Sequence, residues 1–171
     1  MPNAPTHDAI TLITAAGADI AYFHWASHPE PTLAVLYTAA YLFAGYACAG
    51  DLDLNSREYR RWGPLRFLWW PYQKLIPHRS RLSHGLFLGG VFRIFYLFGV
   101  LLLLSWGGAF LFSLSMKTGD PTAFTRHNVL TLNAFVHTYP REVAAGALGF
   151  ILAGTAHSIA DLISTRLKKT F

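Results

Sequence analysis

Four short polar motifs carry the groups best suited to chemistry in this chain. They are Thr6-His7-Asp8, Asp51-Leu52-Asp53, His78-Arg79-Ser80-Arg81-Leu82-Ser83-His84 and His157-Ser158-Ile159-Ala160-Asp161. Four of the six aspartates and four of the eight histidines fall within them, and long apolar stretches separate one motif from the next. Imidazole and carboxylate donors without thiolate suit zinc, manganese or iron(II) rather than a soft metal. Seven such groups are present: His7, Asp51, Asp53, His78, His84, His157 and Asp161. They exceed the donors that one tetrahedral zinc needs, and suffice for one or two divalent ions with positions left open for water. Two ions can stabilise both the attacking and the leaving oxygen of a phosphoryl displacement, and a bound ion lowers the pKa of water towards about 7.

The spacings differ in what they say. His157 and Asp161 are four apart, which on a helix places both on one face about 6 Å apart. Asp51 and Asp53 are two apart and would diverge on a helix, but Gly50 signals a helix end from which both can turn inward; the plainer reading is a turn or capping aspartate. His78 and His84 cannot share a helical face. His78 is expected in a loop after Pro77, and His84 in the first turn of a helix capped by Ser80 or Ser83. Thr6-His7-Asp8 reads equally well as a helix start. Arg79 and Arg81 flank these donors, where either guanidinium can clamp a phosphate or simply meet anionic lipid. Asp53 is a candidate bridging ligand or general base.

Apolar helices must bring the motifs together. Pro31 to Gly50 and Ile94 to Met116 carry no charge, and Val143 to Ala160 none except His157. Each approaches the ~20 residues that cross a hydrocarbon core. Ala9 to Trp25 is apolar but broken by Asp19. The expectation is an all-α integral membrane bundle of about four helices, near 8–25, 32–50, 82–116 and 141–165, forming one domain over 1–171. The third helix is long enough to tilt or to kink near Gly89-Gly90. The segment 119–140 is expected to be a loop with a short surface helix around Asn128 to Phe135. Asp19 and Arg93 fall at similar depths, so a buried pair between them is expected.

Composition agrees with a membrane protein. Apolar residues make up 53% and charged residues 13%, against about a quarter charged in soluble domains. The net charge of +5 is concentrated: seven of the fourteen Lys and Arg lie between Arg57 and Arg81, and Arg166, Lys168 and Lys169 lie near the chain end. The positive-inside rule then places the basic, aromatic loop 51–81 and both termini in the cytoplasm. All four motifs fall at that end of the bundle. Within Arg57 to Lys74 the aromatics Trp62, Phe67, Trp69, Trp70 and Tyr72 are expected at headgroup level, in contact with membrane lipid. Basic-aromatic alternation also occurs in single-strand nucleic-acid binders, a reading that the adjoining spans disfavour. Cys48 is the sole cysteine, so there is neither an intramolecular disulfide nor a thiolate zinc site, and a packed thiol is expected. No Lys or Arg precedes the first apolar stretch, unlike a signal peptide.

The run GDLDLNSREYRRWGPLRFLWWPYQKLIPHRSRLSHG resembles the signature of a family of uncharacterised bacterial metal-binding membrane proteins, and Pro5-Thr6-His7-Asp8 and the late His157 to Asp161 motif extend the resemblance over most of the chain. More loosely the arrangement is similar to the YdjM-like membrane-bound metal-dependent hydrolases, and through them to zinc-dependent phospholipases C and nucleases. Carried over by position, the resemblance implies ligation by His7, Asp51, Asp53, His78, His84, His157 and Asp161. One His-x-x-x-Asp pair is present where the soluble enzymes have two, which argues against three ions.

These readings converge on a metal-dependent hydrolase of the bacterial inner membrane, acting on a phosphoester such as a lipid headgroup or a nucleotide at the cytoplasmic face. The alternative is a non-catalytic metal-binding sensor or assembly factor. A transporter would place its ligands near the midplane, and these lie at one end.

Overall fold

A computed structural model describes residues 4–78, 80–116 and 120–170. Among the described residues there are eight α-helices rather than four, and no strand. The long ones are α1 (Ala4–Trp25), α2 (Pro31–Ala47), α6 (Leu88–Met116) and α8 (Pro140–Thr170). Three short helices, α3 (Arg57–Arg61), α4 (Trp70–Leu75) and α5 (Arg81–His84), lie between α2 and α6, and α7 (Pro121–Thr138) lies between α6 and α8. Single 3-10 segments cover Gly50–Asp53 and Gly63–Trp69.

Two expectations about elements need correction. The helix expected over 82–116 is broken, and the break falls at 85–87 rather than at Gly89-Gly90. Ser80 caps α5 by accepting from the Ser83 amide at 3.2 Å, and Gly85 then turns extended. A Cβ there would strike the Arg81 carbonyl, so glycine permits the tight exit. Secondly, 121–138 is one continuous helix, not a loop with a short turn. Asp120 accepts from the Thr122 amide at 2.8 Å and Pro121 occupies the first turn, a start signal strong enough to outweigh the polar composition. Asn128 then ties α7 to Ser105 of α6 at 2.8 Å.

Three helical segments are long and apolar enough to cross a membrane by length and composition: Pro31–Asp53, Leu88–Ser115 and Pro140–Leu167. The expected fourth, α1, is not among them. Its Asp19 accepts the Thr38 hydroxyl of α2 at 2.7 Å. The expected Asp19–Arg93 pair is not formed. Arg93 is buried on α6 and donates instead to the Ser83 carbonyl at 2.8 Å.

The helices meet through small residues. α2 packs along α8, and α1 lies against both. Gly149 of α8 sits where the Tyr37 carbonyl of α2 crosses it, and a Cβ on Gly90 of α6 would lie 2.8 Å from the Ile151 Cα of α8. Without side chains at these points the backbones can approach closely. Tyr41, Cys48, Leu52, Trp69, Tyr72 and Phe150 build the core above them.

The segment between α2 and α5 folds back as a cap. Arg61 donates to the Tyr46 carbonyl and Trp62 to the Ala47 carbonyl, each at 2.7 Å, and Gln73 donates to the Leu52 and Leu54 carbonyls. Arg61 and Trp62 thereby satisfy carbonyls that the end of α2 leaves without intrahelical partners, and Gln73 satisfies carbonyls of the 3-10 turn and of its C-cap. Gly63, with φ of +51°, supplies the left-handed turn within the cap. Trp69 and Tyr72 are consequently fully buried rather than at headgroup level, because the cap needs an apolar interior of its own. Leu65, Phe67, Trp70 and Leu75 remain exposed.

Gly149→Val is expected to destabilise the fold by about 1–3 kcal/mol through overpacking. Gly107→Ala, with open space around it, should be neutral or slightly stabilising. Thermal unfolding in detergent checks both.

Candidate metal centre

Each motif reaches the same end of the bundle from a different element. His7 lies one turn into α1, and Asp51 and Asp53 lie on the 3-10 turn that ends α2. His78 follows Pro77 in the connection after α4, His84 closes α5, and His157 and Asp161 share one face of α8. Asp8, beside His7, pairs with Arg61 at 2.6 Å and with Arg57 at 3.3 Å, tying the start of α1 to the cap.

The seven groups converge. His7, Asp51, His157 and Asp161 each offer an atom within 4.8 Å of the others, and so do Asp51, His78 and His84. Asp51 is common to both sets. Its Oδ1 lies 3.3 Å from His84 Nε2 and its Oδ2 lies 3.6 Å from His157 Nε2. The His7 and His157 rings stack with centroids 4.0 Å apart. Asp53, whose side chain is wholly buried, meets His78 Nδ1 at 3.0 Å, and its second oxygen is 3.9 Å from His84 Nδ1. Arg81 opens α5 one turn before His84 and is exposed. Arg79 lies outside the described residues.

The buried polar atoms test whether a cation fits. His7 Nε2 is 3.2 Å from Asp161 Oδ1, and His157 Nε2 is 3.7 Å from Asp161 Oδ2. Yet all four atoms are buried without a partner in hydrogen-bond geometry. Each such atom costs roughly 1–3 kcal/mol if left unsatisfied, and a cation at their common focus would satisfy all of them. The donor set, imidazole and carboxylate, suits a borderline or hard divalent ion. The residues therefore fit a metal.

Several supporting residues carried no clear signal in the sequence. Ser83, fully buried, meets His84 Nδ1 at 3.0 Å, which leaves Nε2 turned towards Asp51, as an outer-shell partner of a ligand does. Arg93 holds the Ser83 carbonyl in place from below and lies in the space left by Gly89 and Gly154. Tyr72 adjoins Arg93. Burial raises its phenol pKa and the Arg93 charge offsets part of that rise, so the hydroxyl stays protonated. Gly50 is the most direct of these residues. A Cβ there would sit 3.2 Å from ring atoms of both His84 and His157. Its place before Asp51-Leu52-Asp53 suggests only a helix end.

Comparison with known proteins agrees with this chemistry. Residues 2–171 match the family described as uncharacterized metal-binding protein (DUF2227), and the chain belongs to that family. It is also 40% identical over 58 residues to an uncharacterized protein of Aquifex aeolicus (strain VF5), a match covering 33% of this chain and 40% of that relative. No solved structure matches the chain.

Gly50→Ala is expected to leave helix content unchanged by circular dichroism while weakening metal affinity roughly 10–100-fold. Competition against a chelator of known affinity measures the change.

Proposed function

We propose that this protein is a membrane-embedded, metal-dependent hydrolase of phosphoesters, with its centre at the cytoplasmic end of the bundle. The observation that carries the reading is the pair of ligand groups sharing Asp51, one with four protein donors and one with three. Four donors suit a closed, structural ion, and three suit an ion with a free position. His7, Asp51, His157 and Asp161 would hold the first, and Asp51, His78 and His84 the second. Bound there, divalent ions supply Lewis acidity towards a phosphoryl oxygen and acidify water; zinc, manganese and iron all suit the donors.

The chain's own residues supply the rest. Asp53 fixes the orientation of the His78 ring, and Ser83 that of His84. Arg81, exposed beside His84, offers a guanidinium fork to a phosphate. Arg79 adjoins it in sequence and is proposed for the same task. Location is proposed on charge and hydropathy together. The three candidate spans and the basic residues clustered between Arg57 and Arg81 favour a multi-pass inner-membrane protein with the cap and both termini inside.

A second reading has an observation of its own. His7 and His157 are each only 4% exposed, as in a closed site that senses or stores structure rather than turning over substrate.

Elemental mass spectrometry of detergent-purified protein is expected to find up to two ions per chain. Asp51→Ala should lose all bound metal, and His78→Ala only part of it. Arg81→Ala should keep its metal and lose roughly a hundredfold in phosphoester turnover, the scale of removing one positioned anion contact. Full metal content with no turnover across lipid and nucleotide phosphoesters would favour the sensor.

A further inference from the structure

A cavity adjoins the centre. Its volume is about 330 Å³, and it is lined by His84, Leu86, Ser158, Asp161, Leu162 and Thr165. Two of these residues, His84 and Asp161, belong to the ligand groups. The others come from α8 and from the turn that leads into α6. Both helices contain candidate spans, Leu88–Ser115 and Pro140–Leu167. The cavity is thus lined from the candidate span of α8, from α5 and from the turn before α6, and no residue of the cap lines it.

The cavity's two apolar lining residues, Leu86 and Leu162, are both exposed. Their position is not incidental, because Thr155 of α8 donates its hydroxyl to the Leu86 carbonyl and pins the turn against the helix. The same lining carries the hydroxyls of Ser158 and Thr165 and the imidazole and carboxylate of His84 and Asp161. An aqueous substrate such as a nucleotide would gain nothing from the exposed leucines Leu86 and Leu162. A molecule with hydrocarbon on one end and an anionic group on the other matches this mixed lining.

Resting on the hydrolase reading for its site but not for its chemistry, we infer that the ligand of this centre is a phosphate-bearing lipid that enters sideways from the bilayer, between α8 and the turn that leads into α6. Its headgroup lies at His84 and Asp161, and its chain leaves past Leu86 and Leu162. Ser158 and Thr165 donate to headgroup oxygens. The substrate class is thereby narrowed from phosphoesters in general to amphiphiles held in the membrane.

The test uses the full chain in phosphatidylcholine nanodiscs, loaded with cobalt(II) as a spectroscopic stand-in for the native ion. Phosphatidic acid is placed in the disc in one arm, and inorganic phosphate in the buffer in the other. The visible cobalt bands report any change at the centre without requiring turnover. The expected result is a shift with phosphatidic acid at a total concentration at least about tenfold below that at which inorganic phosphate acts. Leu162→Gln, checked for retained cobalt, should weaken the lipid response roughly tenfold, as loss of one apolar contact does. A response to inorganic phosphate alone, or equal responses to both, would overturn the lateral route and leave the hydrolase reading standing with a soluble substrate. No response to either in cobalt-loaded protein would overturn it, as would failure of folded protein to take up cobalt. A lipid response without release of phosphate would keep the inference and remove the hydrolase reading.

Discussion

Helices α2 and α8 can bring Asp51 to His157 only because their backbones almost touch. Gly149 lies under the Tyr37 carbonyl, and from that crossing the two helices run on to the end where the polar groups gather. There a second absence of side chain is needed, at Gly50, where the rings of His84 and His157 close over the backbone. The helix contact sets the distance, and the glycine leaves the room. A side chain at either place would separate carboxylate from imidazole before any question of metal arose. Close approach between small residues is also the main source of helix association where lipid surrounds the bundle, since burial of apolar surface there gains little.

Around that contact the molecule spends stability on polarity. His7, His157 and Asp161 are buried, as are Asp53 and Arg93. In an apolar interior such groups are costly unless each has a partner. The fold meets part of this cost with protein atoms. Asp53 meets His78, Ser83 meets His84, and Arg93 meets the Ser83 carbonyl. Among the described residues, the unmet atoms on His7, His157 and Asp161 gather at one focus, while Asp8, Asp53, Trp69, Tyr72 and Arg93 each leave one buried atom unmet outside it. Metal binding is thereby coupled to the stability of the fold. The cap above the site has a complementary role. Its Arg61 and Trp62 satisfy the open end of α2, and its Gln73 holds the turn that carries both aspartates.

Much of the site was legible from spacing. His157 and Asp161 are a one-face pair on any helix, and four motifs at alternate ends of apolar segments must gather at one end when the segments alternate in direction. His78 after Pro77 and a cap on Ser80 or Ser83 were readable from local chemistry alone, and the structure selects Ser80. What was not legible depended on contacts between distant elements. Arg93 looked like an unpaired charge in a span that needed an acid. Its partner proved to be a backbone carbonyl, in a space left by Gly89 and Gly154 on two different helices. Trp69 and Tyr72 looked interfacial because their neighbours are basic, and only the folding of the cap on itself buries them. The helix over 121–138 was hidden by Gly119, Asp120, Pro121 and Pro140, which read as loop residues, although Asp120-Pro121 is itself a start signal. The sharing of Asp51 between two ligand groups follows from the 3-10 geometry of Gly50–Asp53, which no periodicity of the sequence foretells.

His7 and Asp161 stand near opposite ends of the chain, and they meet at 3.2 Å. A ribosome delivers them in that order, with every other ligand in between. Until α8 has been made and has packed against α2, two donors of the four-membered group are missing. Completion of that group therefore waits on α8. A chain stalled before α8 would carry the three-donor group without the deeper one, so such partial molecules are marked by an incomplete ligand set as well as by incomplete packing.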